Sequence, residues 1–242
     1  MWIDTDVGDD PDDAVALLAA AAHPAVELVG VSTVHGDTEQ RATIARGLVD
    51  VPVVAGSRFD VDAIGAAEPQ AVLAVGPLTN VARLLGAGYR PGRLALMGGT
   101  RRPVHHRGMT MAVEHNFASD PGAAATVVDE HPGGLVCPLD VTFRMVLDSD
   151  ETARLATDDR LRPELDTWAR RAPGAPICLH DPLALLALAG ERVVRTERRS
   201  LAVEPDGRLV DTPDGTEHEV VVDVDAGVAK ARILALLEHP PR

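Results

Sequence analysis

Trp2-Ile3-Asp4-Thr5-Asp6-Val7-Gly8-Asp9-Asp10-Pro11-Asp12-Asp13-Ala14 decides how the chain folds. Trp2 and Ile3 start a short strand, and six aspartates fall among the ten residues from Asp4 to Asp13. A helical pattern then runs from about Asp13 to Ala22 and stops before Pro24. A buried strand that ends in acid and turns straight into a helix is the first half of a β-α-β unit. Open sheets made of such units place their ligands at the carboxyl ends of the strands, where this turn lies. Gly8 allows a tight bend that a branched residue would resist. Carboxylates this close repel one another. They are stable only when solvated, partly protonated or neutralised by a cation. Hard oxygen ligands in such number suit Ca²⁺ or Mg²⁺. The plain alternative is a solvated acidic loop in which Asp12 caps the helix.

Outward from the turn, strands and helices alternate. Val26–Val34, Val51–Ala55, Gln70–Val75, Leu94–Met97 and Leu135–Leu139 read as strands, mostly apolar as expected for strands buried on both faces. Asp37-Thr38-Glu39-Gln40 reads as a capping box that opens a helix to about Val49. Asp120-Pro121 opens another, to about Glu130. Thr152–Arg171 is helical with a break at Pro163, and Asp181–Ala189 is helical again. Near the end, Leu201–Val203, Arg208–Val210 and Val220–Val222 look like strands, separated by Asp206-Gly207 and Asp214-Gly215 turns. A last helix spans about Ala226 to Leu237. The expected fold is α/β: a mainly parallel open sheet flanked by helices, with a small antiparallel appendage near the C-terminus. No repeat or linker interrupts it, so residues 1–242 are expected to form a single domain.

The chain carries a formal net charge of −14, which argues against nucleic acid or an anionic membrane as its main partner. No apolar run reaches the ~18 residues of a membrane span, and the N-terminus has no signal-like segment. Cys137 and Cys178 sit in apolar surroundings and read as buried thiols in a reducing compartment. A cytoplasmic protein is the expectation.

Two metal- and acid-rich motifs fail on this stretch. An EF-hand loop counted from Asp4 would need glycine and glutamate where Asp9 and Val15 stand. Phosphatases of the haloacid dehalogenase type also start strand-Asp-x-Asp, but they use a downstream lysine, and the single lysine here is Lys230 in the last helix.

Asp4-Thr5-Asp6-Val7-Gly8 followed by Asp12-Asp13-Ala14 resembles the signature of the nucleoside hydrolases. Four further elements follow in the family's order: Gly76-Pro77-Leu78-Thr79-Asn80, Met97-Gly98-Gly99, Glu114-His115-Asn116 with Asp120-Pro121, and His180-Asp181-Pro182. Each is weak alone. Together they span roughly residues 3 to 190 and are specific.

The resemblance implies a Ca²⁺-dependent N-ribohydrolase that splits a ribonucleoside into ribose and free base. Asp6, Asp13, Asp181 and the backbone carbonyl of Val75 would bind Ca²⁺. Asp12 or Asp10 would accept a ribose hydroxyl, with the choice left open by an insertion after Gly8. Glu114 and Asn116 would hold the sugar at its 5′ side, and Asp37 stands where the family carries a sugar-site asparagine. Asp6 would act as general base, and His180 would protonate the leaving base. Asn80 is expected to fix its turn. A small-molecule nucleoside partner and a homodimer or homotetramer are further implications.

The chemistry is coherent on its own terms. Glycosidic cleavage passes through an oxocarbenium-like sugar cation, which a carboxylate cluster stabilises. A bound metal orients sugar hydroxyls and a water and lowers that water's pKa. Read alone, His180-Asp181-Pro182 is a helix start. Other features differ from the family: Ser57–Pro69 lacks a His-Gly-x-x-Gly segment, and His115 stands where phenylalanine is common. Aromatic residues make up only 2% of the chain, so few rings could stack on a base. Trp168 is the candidate, and His105 and His106 lie in a loop that could reach the site. Two alternatives stand beside hydrolysis of common nucleosides: a metal-stabilised nucleoside- or sugar-binding protein without turnover, and a hydrolase of a modified nucleoside.

Overall fold

The computed structural model describes residues 1–106 and 108–238. Strand β1 (Trp2–Thr5) leads through the acidic turn into α1 (Asp12–Ala22), β2 (Gly30–Thr33), α2 (Thr38–Leu48) and β3 (Val53–Ala55). Then come α3 (Val61–Ala66), β4 (Ala71–Ala74), α4 (Thr79–Gly86) and β5 (Arg93–Met97). A hairpin of β6 (Val104–His106) and β7 (Met109–Met111) precedes α5 (His115–Ser119), α6 (Pro121–Glu130), β8 (Leu135–Cys137) and α7 (Leu139–Thr142). Helices α8 (Ser149–Leu155), α9 (Arg162–Arg171) and α10 (His180–Leu188) follow. Strands β9 (Val194–Val203), β10 (Leu209–Asp211) and β11 (Thr216–Val224) come next, and then α11 (Ala226–Glu238).

Nine strands form one sheet in the order β10-β9-β11-β8-β5-β4-β1-β2-β3. From β3 to β11 every neighbouring pair is parallel; β9 runs antiparallel to both β11 and β10. The chain winds outward from β1 to β3 and then returns to the other side of β1 as β4. The strand order therefore reverses between β1 and β4, and a crevice opens at their carboxyl ends.

Alternation along the strands divides the core between the two faces. Ile3, Leu73, Ala95 and Met97 join one cluster with α1 and α10, while Trp2, Val72, Ala74, Leu94 and Leu96 join another with α4 and α6. Among the described residues no helix is long and apolar enough to cross a membrane.

Three regions differ from the sequence reading, each for a local reason. Of Val26–Val34 only Gly30–Thr33 pairs, because β1 begins at Trp2, whose partner is Gly30. The helix expected over Thr152–Arg171 is two helices. Asp148 and Glu151 form a capping box that starts α8 early, and Pro163 lies in the first turn of α9, where its missing N–H costs nothing. Strand β9 is ten residues long because it pairs along β11, and exposed charges such as Arg195 and Arg199 hide that ladder in the sequence.

Asp4, on the Trp2 face of β1, is buried at 2% exposure. Its Oδ1 accepts from Ser32 Oγ at 2.5 Å and from Asn80 Nδ2 at 2.9 Å, while Oδ2 has no partner among the described residues. Asn80 also donates to the Thr33 carbonyl at 3.1 Å, so this side chain locks the turn before α4 to β1 and β2. Burial pushes the Asp4 carboxyl up to about 7, against the bonds from Asn80 and Ser32. An unfolded aspartate ionises near pH ~3.9. The native state therefore holds an extra proton between those values, and the stability linked to it is lost as pH rises through about 7. With chelator present, Asp4→Asn should raise the melting temperature relative to the parent by about 3 °C or more on going from pH 5 to pH 8. A difference that does not change with pH contradicts this account.

Candidate active site

The acidic turn is held by two arginines, one buried and one at its rim. Gly8 takes φ +119°, a conformation L side chains resist. The turn's carbonyls then converge on Arg41 of α2, which is 8% exposed. Its guanidinium donates to the Asp6 and Val7 carbonyls, to the His35 carbonyl at 2.7 Å and to Asp9 Oδ2 at 2.6 Å. The other Asp9 oxygen takes a bond from Arg171 at the end of α9. Burial alone would raise the Asp9 carboxyl, but Arg171 and Arg41 outweigh it and hold it below the usual range. Asp9 therefore serves as an ionised anchor.

The remaining aspartates face inward. The Thr5 hydroxyl donates to Asp13 Oδ1. Asp12 lies in the first turn of α1, yet it caps a different helix: its Oδ2 accepts from the backbone N–H groups of His180 at 3.1 Å and Asp181 at 3.2 Å. That places an anion on the positive end of α10 and fixes His180 and Asp181 against the acidic turn. Gly76, after β4, allows close approach from the other side. A Cβ there would lie 2.6 Å from Val34 Cγ1 and 2.9 Å from Asp6 Oδ1.

A cavity of about 600 Å³ opens at the strand ends where the sheet order reverses. Asp6, Asp10, Asp12, Asp13, Val75, Glu114, Asn116, His180 and Asp181 all line it. Glu114 is buried and caps α5. Its carboxylate accepts from the backbone N–H of Gly99 at 2.9 Å, Asn116 at 2.7 Å and Phe117 at 3.1 Å. Burial nevertheless pushes its pKa up to about 7. Asn116 Nδ2 donates to the Val75 carbonyl at 2.9 Å and the Met97 carbonyl at 3.0 Å, bridging the ends of β4 and β5. His180 Nδ1 sits 2.8 Å from Thr142 Oγ1, and burial lowers its pKa to about 4.

Two expected residues lie elsewhere. Asp37 is the N-cap of α2, accepting from Gln40 N at 3.0 Å. It lines a neighbouring pocket of about 300 Å³ on the α2 side of Asp9. Trp168 packs against the core and donates from Nε1 to the Ala175 carbonyl at 3.3 Å. Its indole is committed to holding the end of α9.

Other cavity residues escaped the sequence reading. Phe143, Met111 and Val113 form apolar wall, Arg171 closes a rim, and His115 places Nε2 4.0 Å from Asp6 Oδ2. His115 was visible as a departure inside a recognised motif. Phe143, just past the short helix after β8, and Arg41, inside an amphipathic helix, carried no local signal.

The carboxylates fit a divalent cation. One ligand oxygen each from Asp10, Asp12 and Asp13 lies within 4.8 Å of the others. At an effective dielectric near 20, unit charges at that spacing repel by roughly 3.5 kcal/mol per pair. Burial pushes Asp6 up to about 7, with Asp10 adding to the rise and Arg41 opposing it. Burial also raises Asp12, Asp13 and Asp181 well above the ordinary range, reinforced by Asp10 and Asp181 at Asp12, by Asp6 at Asp13, and by Asp13 at Asp181. Protons or a cation must neutralise the group, and an all-oxygen donor set selects a hard cation. The tightest group is Asp10-Asp12-Asp13, with Asp6 and Asp181 lining the same cavity. Saturating Ca²⁺ at ~100 times its Kd should therefore stabilise the chelated protein by about 2.7 kcal/mol. The rise in melting temperature should be larger at pH 8 than at pH 5.5, because protons compete for the carboxylates. No rise at either pH contradicts a cation site.

Comparison with known proteins agrees with this geometry. The family profile of the inosine-uridine preferring nucleoside hydrolases matches residues 1–69 and 52–232. The non-specific ribonucleoside hydrolase RihC of Escherichia coli is 28% identical to this chain, over 95% of this chain and 90% of its own. Among solved structures, the inosine-uridine preferring nucleoside hydrolase from Bacillus anthracis superposes with a TM-score of 0.78 at 22% identity, covering 98% of each chain. A plant nucleoside hydrolase gives a TM-score of 0.79 at 18% identity, covering 99% of this chain and 98% of that one. The chain belongs to the inosine-uridine preferring nucleoside hydrolase family and is an N-glycosyl hydrolase.

Proposed function

We propose that this enzyme hydrolyses the N-glycosidic bond of ribonucleosides to ribose and free base, with Ca²⁺ as its cation. One observation carries the reading: the carboxylates, Glu114, Asn116 and His180 line one cavity at the point where strand order reverses. Asp6, Asp13, Asp181 and the Val75 carbonyl would hold the cation, with Asp10 or Asp12 beside it. When bound, Ca²⁺ would orient ribose hydroxyls and make a water more acidic.

The remaining work falls to side chains. Asp6 lines the cavity among the residues that would hold the cation and is suited to take a proton from the attacking water. Asp12 is already fixed by two backbone bonds, and Asp10 stands beside it, so a ribose hydroxyl can donate to either. With Asn116 Nδ2 spent on two carbonyls, its Oδ1 is left to accept from a sugar hydroxyl. The anionic wall stabilises the positive charge that develops on the sugar. Burial keeps His180 a neutral imidazole at rest. Thr142 Oγ1, 2.8 Å from Nδ1, orients the ring, and His180 would protonate the departing base from the imidazolium form it takes on gaining a proton.

Two substitutions test these roles. Asp6→Asn should lower turnover by about 10³-fold or more with the fold retained. An active variant contradicts the base assignment. His180→Ala should slow hydrolysis of ordinary nucleosides by about 100-fold or more, but a nitrophenyl riboside, whose leaving group needs no proton, by less than about 10-fold. Equal losses on the two substrates remove His180 as the acid.

A further inference from the structure

The carboxylates occupy only part of the cavity. Met97, Met111, Val113, Leu139 and Phe143 also line it, and none of these side chains carries an amide or hydroxyl. Phe143 directly follows α7 and is half-buried. Its ring meets His106 of β6 edge-on, with centroids 4.9 Å apart at 61°. On its other neighbour, His180, the centroids are 5.8 Å apart at 48°. The His106 contact is an edge-to-face geometry that aromatic pairs favour, and the His180 ring lies tilted within the same range of distances. The hairpin that carries His106 also brings Met111 to the wall. Three rings therefore run from the hairpin to the residue that faces the leaving base.

We propose that Phe143 is the surface on which the leaving base stacks, and that His106 positions its ring. The inference rests on the nucleoside hydrolase reading of the cavity and specifies how the base is recognised. A base within hydrogen-bond reach of the His180 imidazole lies beside a phenyl ring whose centre is 5.8 Å from that imidazole's centre. A π-face recognises every base, and the apolar wall offers no fixed partner for base edges. The substrate class is therefore ribonucleosides chosen by the breadth of the base, with little regard to its exocyclic groups. Adenosine and inosine, equal in face and different in edge, should have KM values within about 10-fold. A site built to read the edge would separate such a pair by about 10⁴-fold. Trp168, the other large ring in this region, bonds to Ala175 and is absent from the cavity wall.

The test uses Ca²⁺-saturated protein and two ribose-mimicking iminosugars, one bare and one bearing a phenyl group in place of the base. Calorimetry reads their affinities without turnover. The parent should bind the phenyl-bearing probe at least about 10-fold more tightly than the bare one, the range expected of one stacking contact. Phe143→Leu should reduce that ratio to about 3-fold or less, with affinity for the bare probe unchanged, and should raise KM for inosine by a similar factor. His106→Ala should lower the ratio part of the way, and His106→Phe, which keeps an aromatic edge against Phe143, should restore it. A parent ratio near one, or a ratio untouched by Phe143→Leu, overturns the proposal, as does failure of both probes to bind. His106→Ala without effect removes His106 from it. A parent that hydrolyses no nucleoside but keeps the Phe143-dependent ratio sinks the hydrolase reading and leaves the stacking assignment standing.

Discussion

Everything at this site depends on keeping several aspartates, most of them buried, together at the wall of one cavity. Repulsion among them would open the turn if nothing opposed it. Arg41 opposes it from within the fold, binding two carbonyls of the turn and the Asp9 carboxylate. Its charge also lowers the Asp6 and Asp13 carboxyls against the upward push of burial. One buried guanidinium cannot neutralise the whole group, and the residual negative charge is what a cation answers. The same imbalance that burdens the turn thus gives it an affinity for a metal cation.

The sheet turns that local arrangement into a cavity. Because strand order reverses between β1 and β4, no crossover covers the carboxyl ends of these strands. Asp6, Val75 and Met97 follow or end three adjacent strands and so arrive at one level. Asp12 then reaches across to the start of α10, which joins residues 168 positions apart in sequence through one carboxylate. Asn116 makes the matching tie on the other side, between the carbonyls at the ends of β4 and β5.

Legibility followed the range of the interactions. Strand β1, the acidic turn and α1 could be read because apolar, acidic and helical patterns succeed each other within twenty residues. The parallel sheet was legible from its apolar strands, and the motif residues carried the polar wall of the cavity. What escaped depends on contacts distant in sequence. Arg41 looks like any helix arginine until the turn folds onto it, and Asp12 looks like a cap for its own helix although it caps α10. Strand β9 was hidden by surface charge, and the β6–β7 hairpin by strands of only three residues. Trp168 drew attention as a rare aromatic, but its indole is spent holding α9. Phe143 lines the cavity, because α7 turns the chain into it directly after β8.

The central claim is that a cation-dependent carboxylate cluster drives cleavage of the ribosyl bond. The most direct measurement is ribose release from a panel of ribonucleosides by protein stripped with chelator and then titrated with Ca²⁺. The account predicts no release from stripped protein, and release that rises with Ca²⁺ and saturates once a single site is filled. Full activity in excess chelator, or saturated binding of Ca²⁺ with no ribose released from any nucleoside, would contradict it.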